Sequence, residues 1–148
     1  MSTIVGTNIE VTNIKFDSDT TSMIISNTGQ ITAQGEGTAT TNLQQGLAKA
    51  WLTLDGEGSI AIIHSNNIAS VTDNETGDYS FTYTNNMGTA KHPVTGSNIG
   101  ASTAYFFSFI TSDAVAQATT GNTIQIKHHS GVDQDCDPTH VVIHGDLA

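Results

Sequence analysis

The chain has 148 residues, which fits one domain with a short arm at one end. It carries 4 Lys, no Arg and 14 Asp plus Glu, for a formal charge of −10, and Thr, Ser and Asn supply 47 of its residues. Without a Lys/Arg cluster it cannot neutralise phosphates or hold to an anionic bilayer, so neither nucleic acid nor membrane is expected as a partner.

The longest unbroken apolar runs, Ile60 to Ile63 and Ala104 to Phe107, are four residues each and cannot span a bilayer. No basic-then-apolar leader is read at the start. The one cysteine, Cys136, cannot close an internal disulfide, and synthesis in a reducing cytoplasm is expected. Charged residues are 12% of the chain, too few for a typical disordered tail. A chain rich in Thr, Asn and Gly forms helices poorly, whereas Thr favours strands.

In chain order, Ile9, Val11, Ile14 and Phe16 are spaced for a strand with a slip near Asn13. Met23 to Ser26 and Gln30 to Ala33 flank Asn27-Thr28-Gly29, which predicts a hairpin. Residues 35–42 have no apolar period and read as a linker or extended arm. Leu43 to Ala50 is the best helix candidate, weakened by Gly46.

From Ala50 the pattern is that of strands. Ala50 to Leu54 and Ser59 to Ile63 flank an Asp55-Gly56-Glu57-Gly58 turn. Ile68 to Thr72 is followed by a turn at Asp73 to Gly77. In Asp78 to Thr84, Tyr79, Phe81 and Tyr83 alternate with Ser80, Thr82 and Thr84, the period of a half-buried antiparallel strand. Further strands are expected at 92–96, 103–110, 122–127 and 139–147, with one helical turn or a loop at Asp113 to Thr119. This spacing of turns predicts an all-β fold, an antiparallel, jelly-roll-like β-sandwich over 46–148 behind a short extended N-terminal arm over 1–45.

Chemistry-bearing residues concentrate late in the chain. His128, His129, Asp133, Asp135, Cys136, Asp137, His140 and His144 all fall within 128–144. Asp133-x-Asp135-x-Asp137 copies the first three ligand positions of a calcium loop, but Pro138 stands at the glycine position and His144 at that of the bidentate Glu. The histidines and Cys136 match no standard zinc spacing. A polar loop before the last strand is therefore preferred, with no metal or other cofactor expected. His140, Val142 and His144 would share one strand face, where a three-fold axis could repeat them.

No Gly-x-Ser-x-Gly elbow, His-Glu-x-x-His helix or phosphate loop is present, and most carboxylates sit in turns, so an enzyme is not expected. Sugar stacking could come from Trp51, Tyr79, Tyr83, Tyr105 or Phe107. Core packing is the rival role, and for Trp51 and Phe81 it is the expected one. Tyr105 to Phe109 puts aromatics on both faces of a strand, which calls for cover on both sides.

Two stretches and the tail carry a resemblance. They are Gly46 to Gly58, containing Lys49-Ala50-Trp51-Leu52-Thr53-Leu54-Asp55-Gly56-Glu57-Gly58; Ile68 to Phe81, containing Val71-Thr72-Asp73-Asn74-Glu75-Thr76-Gly77-Asp78-Tyr79; and His140 to Ala148. They resemble a motif of small structural proteins of tailed, marine-type bacteriophages, in tail-fibre and tail-tip C-terminal domains. The chain departs from it at Asn74-Glu75-Thr76-Gly77-Asp78, where the family reads Asn-Gly-Thr-Gly-Asp.

The resemblance implies a non-enzymatic virion structural protein. It would be a homotrimer forming a short tail fibre or tail tip, contacting other virion proteins through residues 1–45 and a host-surface glycan through the sandwich. A head decoration or head-fibre protein is the alternative within the virion, and a carbohydrate-binding module the alternative of another class.

Overall fold

The computed structural model describes residues 13–15, 21–34, 39–99, 105–108 and 117–148, with side chains from Met23 onward except in 105–108. The expectations at Ile9, Val11 and Phe16, over 35–38 and over 109–116 lie outside the described residues. So do those for the side chains of Tyr105 to Phe109. The chain forms two compact units, Met1–Leu47 and Ala48–Ala148.

The first unit holds a four-stranded antiparallel sheet in the order β1 (Asn13–Lys15), β2 (Thr21–Ile25), β3 (Ile31–Gln34), β4 (Thr40–Asn42). The β2–β3 hairpin closes at Ile25↔Ile31. Its turn is set by Gly29 at φ 79°, which a side-chain-bearing residue adopts only with strain, and by Ser26 Oγ accepting from Gln30 N. Residues 40–42, expected as part of a linker or extended arm, pair with β3, because threonines that lack an apolar period still favour extended backbone.

The helix expected over Leu43 to Ala50 is one turn, α1 (Leu43–Gly46), capped by Asn42 Oδ1 accepting from Gln45 N. It stops early because Gly46 is a poor helix former and because Lys49 N is drawn to Ile143 O, starting a strand. Gln44 ties α1 to the hairpin, its Oε1 accepting from Ile31 N and its Nε2 donating to Gly29 O.

The second unit is all-β, an antiparallel sandwich of two four-stranded sheets. One has the order β6 (Ala61–Asn66), β5 (Ala50–Asp55), β12 (Thr139–Ile143), β9 (Val94–Asn98). The other runs β10 (Tyr105–Ser108), β11 (Gly121–His128), β8 (Asp78–Tyr83), β7 (Ile68–Glu75).

Alternation builds the core. Ala50, Leu52 and Leu54 of β5 and Val141 and Ile143 of β12 face Tyr79, Phe81 and Tyr83 of β8 and Ile124 and Ile126 of β11 in one buried cluster. These are the two central strands of each sheet. Burying a side chain of this size stabilises by about 1.5–3 kcal/mol relative to leaving it exposed.

Edge strands contribute less. The apolar run at Ile60 to Ile63 marks a strand, but only Ile60 packs on the core, while Ile62 and Ile63 are 40% and 44% exposed. Ile63 is the bulged residue opposite Thr53/Leu54, and Ile62, though paired with Leu54, lies on the outermost strand of its sheet.

The strands of β7 extend further than expected. The turn is only Thr76-Gly77, with Asn74 as a bulge whose Nδ2 donates to Asp78 Oδ1 and Ser80 Oγ.

Among the described residues, every buried core residue lies at Ala50 or beyond. A chain beginning at Ala48 is therefore expected to melt within a few degrees of the full chain, measured by circular dichroism. An unfolded truncation would place residues of 1–47 in the core.

Candidate functional site

The 128–144 segment does not assemble into one site. Among the described residues, no group of three or more His, Cys, Asp or Glu side chains could hold a metal ion. The three carboxylates of the calcium-like spacing are separated by their partners. Asp133 pairs with Lys127 Nζ, with both side chains partly exposed. Asp135 turns inward, and Asp137 lies in the exposed turn at Pro138. His128 Nδ1 bonds Ser130 Oγ and its ring lies 4.0 Å from that of His129. His140 and Val142 share the outer face of β12, and His144 follows the strand end.

Asp135 serves the fold. Its Oδ1 accepts from Tyr79 Oη at 2.5 Å and from Gly77 N at 2.7 Å, and Tyr79 Oη lies 3.1 Å from Gly56 O. One carboxylate thus joins the β7–β8 turn, the core and the loop before β12. Burial first, and then the bond to Asp135, push the Tyr79 hydroxyl above the usual tyrosine range. Cys136 is buried beside it, with Asn98 Nδ2 donating to Sγ at 3.3 Å. Burial raises its thiol as well, which leaves it a poor nucleophile.

A second polar cluster lies at the other end of β8, where no motif marks it. Tyr83, His92 and Asn122 are 5%, 4% and 3% exposed, so their hydrogen bonds must be made internally. His92 Nδ1 lies 2.8 Å from Thr89 O, a carbonyl that can only accept. That bond places a proton on Nδ1, while Nε2 lies 2.9 Å from Tyr83 Oη and 3.1 Å from Asn122 Nδ2. Asn122 Nδ2 also donates to Tyr83 Oη at 2.9 Å. Gln117 Nε2 donates to His92 O.

Asn122 Oδ1 is buried with no partner among the described residues. An unsatisfied buried acceptor costs about 1–3 kcal/mol. Beside this cluster is a cavity of about 140 Å³ lined by His92, Val94, Gln117 and Asn122. In the sequence these residues stood only at the starts of expected strands (92–96, 122–127) or in an expected loop. They come from three separate stretches, joined by the bonds that Gln117 and Asn122 make to His92.

The aromatics expected to divide between core and surface do so differently than anticipated. Tyr79 and Tyr83, named as sugar-stacking candidates, are buried, as is Phe81. Trp51, expected in the core or at an interface, is not in the core. It is 37% exposed on the outer face of β5, because Ala50, Leu52 and Leu54 take the inner face and alternation leaves position 51 outside.

The registers place two rows on that face: Asn66–Trp51–Val142–Thr95 and His64–Thr53–His140–Ser97. Thr53 Oγ1 bonds His140 Nδ1 at 3.2 Å. Neither row contains Asp, Glu or Lys, in a chain with 14 acidic residues.

Compared with known proteins, the chain matches no family model, no curated protein and no solved structure.

Proposed function

We propose that the chain is a non-enzymatic structural protein of a tailed-bacteriophage virion, a homotrimeric short tail fibre or tail-tip component. The sandwich associates with copies of itself, and residues 1–47 dock to other virion proteins. The resemblance over 46–148 supports the virion assignment. The observation that carries the assembly role is the pair of rows around Trp51 that contain no Asp, Glu or Lys, on the outer face of the β6-β5-β12-β9 sheet where Asp55 lies beyond them.

Copies that each carry −10 repel one another at close approach. A self-association surface on such a chain needs a region cleared of like charge, with an aromatic anchor. The two rows across four strands, at about 4.8 Å per strand, supply such a region.

Light scattering at micromolar concentration tests this. The wild-type chain is expected at three times the chain mass, and Trp51→Asp at the single-chain mass with an unchanged circular dichroism spectrum. Because Trp51 is partly exposed, Trp51→Ala should cost the isolated fold less than the roughly 3–5 kcal/mol of a buried Trp. A monomeric wild-type chain would overturn the trimer. Mass spectrometry and antibody labelling of purified particles test the virion assignment, and label on the head would place the chain as a decoration or head-fibre protein instead.

A further inference from the structure

We propose that the copies join edge to edge, the open side of β6 in one copy pairing with the open side of β9 in the next. Three four-stranded sheets then close into a three-sided prism with their Trp51 faces inward. This rests on the trimer proposed above and adds how its copies are joined.

Both edges are unguarded. β6 and β9 end their sheet, and among the described residues nothing pairs with their open sides. An edge strand offers unpaired N–H and C=O groups to another chain, and proteins blunt such edges with charge, proline or bulges. Neither strand contains a charged residue or a proline, in a chain of formal charge −10, and all six residues of β6 are exposed. The β7 edge of the other sheet is the contrast. It carries Asp73 and Glu75 and is broken by two register shifts. β6 has one, at Ile63, and beyond it His64, Ser65 and Asn66 form a regular ladder in the same rows as Ser97, Gly96 and Thr95 of β9.

Strand direction favours this joint. The three pairings of the sheet are all antiparallel, so with four strands β6 and β9 run in opposite directions. A second copy laid alongside with the same face inward therefore presents its β9 antiparallel to β6, the more stable sense. Two β6 strands pairing with each other would stop at two copies, whereas a head-to-tail joint closes by rotation into a ring.

Size selects three copies. At about 4.8 Å per strand, four strands make a side of about 19 Å, and the centre of a triangle on that side lies about 5.5 Å from each sheet. Facing sheets pack about 10 Å apart, which is about 5 Å of side chains from each. Three sheets thus fill the space between them, and a four-sided ring, with its sheets about 10 Å from the axis, leaves a channel. Trp51 and Val142 supply the apolar filling. Asp55 stands at the strand end, its Oδ1 accepting from Glu57 N, where the prism opens to water.

Amide hydrogen exchange read by NMR tests the joint, comparing the full wild-type chain with Trp51→Asp. In the wild-type trimer, the open-side amides among residues 64–66 and 95–97 are expected to exchange at least tenfold more slowly than in single-chain Trp51→Asp. The open-side amides of β7 should exchange alike in both. Should Trp51→Asp fail to fold, the comparison is made within the wild-type trimer, between the open sides of β6 and β9 and that of β7. A trimer whose β6 and β9 edges exchange as fast as its β7 edge would overturn the prism and leave the trimer standing. Protection of β6 without β9 would also overturn it. A single-chain mass for the wild type would remove the trimer and the prism together.

Discussion

Gly77→Ala is expected to destabilise the sandwich by about 3 kcal/mol or more, read as a drop in the urea midpoint at unchanged slope. Two costs add. Gly77 sits at φ +69°, a left-handed conformation that costs a residue with a Cβ about 1–2 kcal/mol. A Cβ there would also stand 2.6 Å from Ile126 O and 2.8 Å from Gln134 N.

Both of those atoms are backbone, so neither can swing aside as a side chain would. Gly77 O accepts from Ile126 N at 2.7 Å and Gly77 N donates to Asp135 at 2.7 Å, so the turn cannot lift away without losing both bonds. Gly58, at φ +66° with nothing near its would-be Cβ, is the control: Gly58→Ala carries only the conformational part. Equal midpoints for the two variants would mean that the turn does not press on β11.

Tyr79 gives the second large effect. The side chain is fully buried, and Tyr79→Ala is expected to cost about 3–5 kcal/mol, as for other buried aromatics. Tyr79→Phe keeps the ring and removes only the hydroxyl that reaches Asp135 and Gly56 O, at about 1–3 kcal/mol.

The alkaline limb isolates the hydroxyl. Tyr79 and Tyr83 both ionise above the usual tyrosine range when folded, each chiefly through burial. A group with a raised folded value binds its proton more tightly in the native chain. Its contribution is therefore complete below the unfolded value, about pH 10, and is lost as pH climbs from there toward the folded value. Each such tyrosine removes about 1.4 kcal/mol per pH unit over that range. Tyr79→Phe should reduce this alkaline slope, and an unchanged slope would show that the hydroxyl is not held protonated by its surroundings.

Much of the second unit was legible because its central strands alternate strictly. The alternation of Tyr79, Phe81 and Tyr83 with Ser80, Thr82 and Thr84 marks one face of its strand, and all three are buried, which removes the stacking role that was open to Tyr79 and Tyr83. The hairpin turn at Gly29 was legible from a glycine that permits positive φ, and Gly77 marked the end of a turn that was expected from Asp73 but spans only Thr76-Gly77.

The readings that shifted have a common cause. Ile62 and Ile63 are as apolar as Ile124 and Ile126, and only position within the sheet separates them: β6 is an edge with a bulge, whereas β11 is central. Trp51 is the largest side chain of its strand. Its neighbours Ala50, Leu52 and Leu54 nonetheless claim the inner face, because the face is decided by the whole strand and not by one residue.

Composition and period thus determined an all-β chain, its strand-rich second unit, the inward faces of the central strands, and a formal charge of −10. The tertiary structure decided which carboxylate turns inward and which faces water. It separated the closely spaced acids at 133, 135 and 137, and joined Asp135 to Tyr79 and Gly77. It also gathered His92, Gln117 and Asn122 around one cavity. Local pattern records the period of a strand, whereas a site depends on which distant strands pair. Gly77 and Asp135 lie 58 positions apart, and pairing alone brings them within a hydrogen bond.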